Sequence, residues 1–137
     1  MTRVIDLDGN YHNWNVSSYI TKNNDGRPRS QHHLQAREML ASMFSTCQIL
    51  EEVPITVRRG ETLYLDFYIP LQNLCIEVHG EQHYKFVPFY HQTRMGFAKS
   101  QKRDVDKIEW CKTNGIDIIA FPYNEPKDEW KKRISDR

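Results

Sequence analysis

The sequence holds no apolar run long enough to cross a bilayer, and its opening MTRVIDLDGN has no apolar h-region. Neither a membrane span nor a secretory leader is expected. Cysteine is scarce: the three thiols, Cys47, Cys75 and Cys111, are far apart and form no CxxC pair. This argues against a disulfide framework or a cysteine zinc knuckle, and for a reducing, intracellular (cytoplasmic) setting. Net charge is nearly absent at +1, so overall charge does not announce a nucleic-acid partner. There are no internal repeats. What remains is 137 residues, 39% hydrophobic and 27% charged, ordinary for a single globular domain with a real core.

Charge is more informative in its distribution. Lys85, Arg94, Lys99, Lys102, Arg103 and Lys107 are set against Asp104 and Asp106. Arg27 with Arg29, Arg58 with Arg59, and the C-terminal tail make further basic spots. Such spots can neutralise phosphates, although a run of charge is more often a solvated helix face.

In chain order, Val4-Ile5, the turn dipeptide Asp8-Gly9, then Tyr11 and Trp14 predict a short strand-turn-strand with His12 on its surface. Asn15 can cap a helical turn over 16–20, and 21–29 is loop by composition. Ser30 is an N-cap for a helix to about residue 44, with Ala36, Leu40, Met43 and Phe44 as its apolar stripe. His33 lies at the start of that stripe, on the core side, where it can face a site or be a partly buried histidine with an ordinary partner. Residues 49–57 read as strand interrupted by Pro54, and Arg59-Gly60 turns into a hairpin. Beyond it, Tyr84, Phe86, Phe89 and Tyr90 read as packing residues. A long helix follows over about 93–114, closed by Asn114-Gly115. Its stripe reads Phe97, Ala98, Val105, Ile108 and Cys111, with Gln101 and Asp104 inside it and Lys107 one turn on. Polar residues on a buried face need partners, and the natural partner is the polar cluster on the hairpin. Residues 116–121 form an apolar strand ended by Pro122, and 126–136 a short helix packing through Trp130 and Ile134. The order is helix, three strands, helix, strand: an α/β (α+β) chain with an αβββαβ core over 30–123, an N-terminal extension over 1–29 and a C-terminal helix over 124–137.

The stretch that organises the chain is YLDFYIPLQNLCIEVHGEQHY, residues 64–84. Leu63, Leu65 and Phe67 alternate with Tyr64, Asp66 and Tyr68; after a turn at Gln72-Asn73, Leu74, Ile76 and Val78 alternate with Cys75, Glu77 and His79. A period of two makes one face of each strand apolar and puts Glu77 and His79 together on the other. Paired as a hairpin, the strands bring Asp66 to the same side. One such carboxylate would be a solvated face. Asp66, Glu77, His79, Glu81 and His83 within one short stretch suit a divalent cation with a proton-transfer group beside it.

This arrangement resembles the PD-(D/E)xK nuclease superfamily, in which a strand Asp is followed after about ten residues by Asp/Glu-x-Lys. Asp66 followed by Glu77-Val78-His79 matches, with histidine in place of lysine. Asp66, His79-Gly80 and His83 look most like the branch containing the very-short-patch repair endonuclease and phage-encoded homing endonucleases. IEVHGEQHY, then Arg103, Asp104 and Lys107, then IDIIAFPY extend the likeness over about 30–123. The resemblance implies a restriction-endonuclease-like core with a central mixed sheet flanked by helices. It further implies cleavage of double-stranded DNA with Mg2+ (or Mn2+). Asp66 would be the main metal ligand, with the Val78 carbonyl and Glu77 helping. His83 would be general base, oriented by Asp104, and His79 would polarise the phosphate or act through a bound water. His33 stands nearest to the acidic residue that this branch carries on its first helix. The basic residues expected to meet DNA are Arg27, Arg29, Lys85, Arg94, Lys99 and Arg103. For a phage-encoded chain the place of action is the host cytoplasm, and a long target calls for a homodimer or higher oligomer.

Three readings compete. One is a nuclease of another kind, RNA-directed or a histidine-metal finger; HNWN over 12–15 is superficially similar to the latter but lacks its second histidine. Another is an inactive nuclease-fold module that binds DNA or a protein. The third is a structural protein with an incidental polar hairpin. Magnesium-dependent nicking separates them.

Overall fold

The computed structural model describes residues 2–16 and 29–137. Arg27, and residues 17–20 of the expected helical turn, lie outside the described residues. The strands β1 (Thr2–Ile5) and β2 (Tyr11–Trp14) pair antiparallel around Gly9 at φ 88. Then come α1 (Gln31–Met43), β3 (Leu50–Arg58), β4 (Glu61–Ile69) and β5 (Leu74–His79). After these, α2 (Pro88–His91) and α3 (Arg94–Thr113) lead to β6 (Asp117–Pro122) and α4 (Lys127–Ser135). The chain is a mixed α/β fold: a four-stranded sheet in the order β3-β4-β5-β6 with helices against it. Only β5 and β6 run parallel. No helix among the described residues is long and apolar enough to cross a membrane.

Alternation along β5 sorts the layers. Cys75 joins a core with Trp14, Trp110 and Cys111, under the N-terminal hairpin and α3. Leu74 and Ile76 join a second core with Ala36, Met39, Leu40 and Trp130, under α1 and α4. Sheet residues with successive side chains on opposite faces therefore separate α3 from α1. The expectation of one apolar and one polar face fails here: Phe67 through Ile69 and Leu74 through Glu77 are all buried, because both faces are covered. Leu63 and Leu65 belong to the α3-side core whereas Phe67 and Ile69 belong to the α1-side core. The simple period of two thus breaks around Asp66. Its neighbour on β3, Glu52, has φ 51, and the two do not pair although the residues on either side do.

Other elements refine the sequence reading. Ser30 caps α1 by accepting from the His33 N–H at 3.1 Å. β3 runs straight through Pro54, which pairs opposite Tyr64. It is an edge strand, where a missing N–H costs no ladder bond. The turn between β4 and β5 is a 3-10 turn, Pro70–Gln72, followed by Asn73 in the left-handed region at φ 47. β6 lies at the other sheet edge and is only partly buried, apart from Phe121. Trp130 stacks on Phe121 at 4.8 Å and donates to the Pro122 carbonyl at 3.0 Å, which docks α4.

The stripe expected on α3 is rotated. Val105 is 50% exposed and Ile108 47%, and Gln101 faces solvent. The inner face is Asp104, Lys107, Trp110, Cys111 and Asn114, spaced by three and four, and Asp106 is buried beside it under Arg58 at 2.9 Å. Asn114 reaches both the N–H and the carbonyl of Ile5, tying the N-terminal hairpin to the helix end. His12 is not a free surface residue: it pairs with the buried Asp6 at 2.7 Å.

Candidate active site where two strands part

β4 and β5 share only three paired positions, ending at Phe67 opposite Ile76. The next residues are Asp66 and Glu77, and here side chains replace the ladder. The Val78 N–H donates to Asp66 Oδ2 at 2.8 Å, and the Asp66 N–H donates to Glu77 Oε2 at 2.7 Å. Each carboxylate satisfies a backbone donor that the parting strand would otherwise orphan. This alone gives both residues a structural reason to be acidic.

Lysine is present after all, delivered by a helix. Lys107 of α3 donates to Glu77 Oε1 at 2.7 Å, with only 15% of its side chain exposed. Both Glu77 oxygens are therefore engaged. Burial acts to lower the Lys107 pKa, but the charges of Glu77 and Asp66 prevail and hold it raised. Asp66 behaves in the opposite way. Burial pushes its carboxyl up to about 8, the Glu77 charge adds to this, and Lys107 opposes it.

One turn earlier on α3, Asp104 Oδ2 lies 2.8 Å from His83 Nδ1. His83 ends the 3-10 turn Glu81–His83 that follows β5. Burial acts to raise Asp104, but the hydrogen bond from His83 together with the charges of His83, His79 and Lys107 outweighs it, and the carboxyl stays below its usual range. An ionised carboxylate only accepts, so His83 carries its proton on Nδ1 and leaves Nε2 as the basic nitrogen. His79 stacks on His83 with centroids 4.2 Å apart and planes 9° apart, and its Nδ1 lies 3.2 Å from the Tyr84 hydroxyl. Burial, then the neighbouring His83, pushes His79 down to about 4.

Asp66, His83, Asp104 and Lys107 line one cleft of about 480 Å³, together with Tyr90, Ser100 and Arg103. The oxygen donors suit a hard cation. Asp66 Oδ1 carries no hydrogen bond among the described residues. The Val78 carbonyl projects to the same side as the Val78 N–H, where β4 has departed. Glu77 is the weaker donor because Lys107 already holds it.

The remaining expected residues fall elsewhere. His33 is 7% exposed on the α1 side of the sheet, stacked on Phe67 at 4.6 Å and 2.5 Å from Glu51 Oε1. The structure does not bring it to the cleft, because α1 and α3 cover opposite faces. Arg29 pairs with Glu52 at 3.3 Å with 8% of its side chain exposed, which removes it from the phosphate-facing set. Glu81 is exposed beside Lys85 at 4.0 Å. Lys85, Arg94, Lys99 and Arg103 remain on the surface, Arg103 at the cleft. Phe89 is 84% exposed and Tyr90 60%, so neither packs as expected. The sequence reading missed the Lys107–Glu77 pair and the Tyr84 hydroxyl on His79. The i, i+3 spacing of Asp104 and Lys107 was the available signal for the first.

Comparison with known proteins gives partial matches. Over 61 residues the chain is 39% identical to uncharacterized protein 307L of Invertebrate iridescent virus 6, covering 44% of this chain and 31% of that protein. Over 70 residues it is 37% identical to uncharacterized protein 033L of Invertebrate iridescent virus 3, covering 51% and 34%. Over 65 residues it is 37% identical to uncharacterized protein 094L of Frog virus 3 (isolate Goorha), covering 47% and 42%. The similarity is to viral proteins. The chain spans about a third of the length of the curated relatives it matches. No family model and no solved structure matches it.

Proposed function

We propose that this chain is a metal-dependent endonuclease that hydrolyses phosphodiester bonds in double-stranded DNA, of the PD-(D/E)xK kind. The observation that carries the reading is the parting of β4 and β5 at Asp66 and Glu77, with Lys107 and the His83–Asp104 pair brought to the same cleft. A magnesium ion held by Asp66, the Val78 carbonyl and Glu77 would supply Lewis-acid stabilisation of the phosphate. The chain's own groups do the rest. His83 takes a proton from water at Nε2, and Asp104 fixes its tautomer and stabilises the imidazolium. Lys107 orients Glu77 and offsets the charge crowded against Asp66. Arg103 at the cleft and the exposed Lys99 on the same helix meet phosphates. The viral relatives support a place of action in the host cytoplasm. Site-specific, homing-type cleavage and a homodimer follow from the family analogy alone.

The test is relaxation of supercoiled plasmid by the purified protein with magnesium or with EDTA, beside Asp66→Ala. Metal-dependent nicking that vanishes in the variant supports the reading, and discrete fragments from viral DNA add a specific site. Retention of DNA without nicking under any metal overturns it in favour of a nuclease-fold binding module.

A further inference from the structure

His79, His83 and Asp104 also make a ligand set of a different kind from the oxygen donors at Asp66. One ligand atom from each lies within 4.8 Å of the other two, and all three residues are half-buried. They come from β5, the 3-10 turn after it and α3. Two imidazoles and one carboxylate favour zinc, cobalt or nickel, whereas oxygen-only sets favour magnesium. Three protein ligands leave one position open to water.

The ligand atoms are close enough to converge, but the rings must first turn out of their face-to-face stack at 4.2 Å, because an ion lies in the plane of each imidazole that holds it. The 2.8 Å between His83 Nδ1 and Asp104 Oδ2 must open only to about 3.3 Å for an ion to replace the shared proton, with bonds of roughly 2.0–2.1 Å. The Tyr84 hydroxyl at 3.2 Å from His79 Nδ1 is the kind of outer partner that fixes the ring of a ligating histidine and directs its other nitrogen.

We propose that His79, His83 and Asp104 bind one zinc-class cation, at a position separate from the oxygen donors of Asp66, and that this cation takes His83 and Asp104 out of proton transfer. Magnesium then supports cleavage and zinc inhibits it. The inhibitory half rests on the nuclease reading; the binding half does not.

The experiment is calorimetric titration of the metal-free protein with Zn2+, without DNA, repeated with Co2+ to read the coordination from visible absorption. One zinc per chain is expected, with a four-coordinate cobalt spectrum. Affinity falls by at least about tenfold in Asp104→Asn and in His79→Gln, and stays unchanged in Cys47→Ser, which removes the half-buried free thiol. Absence of binding, or equal affinity in both ligand variants, overturns the proposal. If a ligand variant does not fold, imidazole NMR of the wild-type protein decides. Zinc must shift His79 and His83 and leave His33 unmoved, and any other pattern overturns it. In the plasmid assay with magnesium, one equivalent of zinc reduces nicking by at least about tenfold. Nicking undiminished by bound zinc overturns the inhibitory half. A protein that binds zinc yet never nicks DNA refutes the nuclease reading and leaves the zinc site standing.

Discussion

Two groups of histidine and carboxylate sit against opposite faces of the same sheet, and they differ in what is left over. On the α1 side, Arg37 donates to both Glu51 oxygens at 2.9 Å, and His33 adds a third contact at 2.5 Å. Burial acts to raise Glu51, but His33 and Arg37 outweigh it and keep the carboxyl low. The group is closed: both Glu51 oxygens are held, and His33 stacks on Phe67. On the α3 side, Asp66 is pushed up to about 8 and His79 down to about 4, in a cleft that water can enter. Both shifts disfavour the charged form of their group. The closed group is what a core does with polar residues, and the open one retains capacity for a cation and a proton. Residue types alone do not distinguish the two; spare lone pairs and access do.

The comparison breaks first at His83. If the open group does chemistry, His83→Ala lowers nicking by about 10²–10⁴-fold and leaves the melting temperature nearly unchanged. Turnover and a thermal melt on one preparation check both halves. Glu51→Ala should do the reverse. Leaving Arg37 and His33 around a missing charge costs about 3–5 kcal/mol of stability, read by urea unfolding, while nicking per folded molecule persists. An unstable His83→Ala or a stable Glu51→Ala would erase the distinction.

Acidity sharpens it further. The Glu51 carboxyl is lowered from 4.5, so its stabilisation is complete above that value and disappears as pH falls through the lower folded value. Asp66 is raised from 3.8 to about 8, so its contribution is complete below 3.8 and is lost as pH rises toward 8. Asp66→Asn keeps an oxygen for the Val78 N–H and should stabilise the metal-free protein at pH 8 by about 0.5–2 kcal/mol. Glu51→Gln should flatten the acid limb of the stability profile. Unfolding curves from pH 3 to pH 9 test both. Smallest of all, Phe89→Ser and Tyr90→Ser should change stability by less than about 0.5 kcal/mol, because both rings face solvent.

The helix and strand order could be read from caps, turns and periodicity because those signals are local. Ser30, Asn114 and the break before Leu74 fall where their chemistry requires. On α3 the polar positions Asp104 and Lys107 do meet the hairpin cluster, as their place on the stripe implies, whereas hydrophobicity pointed wrongly to Val105 and Ile108, which face solvent. The hairpin cluster was legible because its carboxylates and imidazoles are dense in sequence. His33 comes to that cluster only through the resemblance, and a sequence shows that a helix residue faces the sheet but not which face of the sheet. Lys107 was undervalued because its partner Glu77 is thirty residues away.

The most direct measurement compares wild-type protein with Asp66→Asn for magnesium-dependent plasmid nicking and for thermal stability in EDTA at pH 8. The expected variant is at least as stable as wild type and nicks at least about 10³-fold more slowly. A variant that nicks like wild type, or wild-type nicking that persists in EDTA, would contradict it.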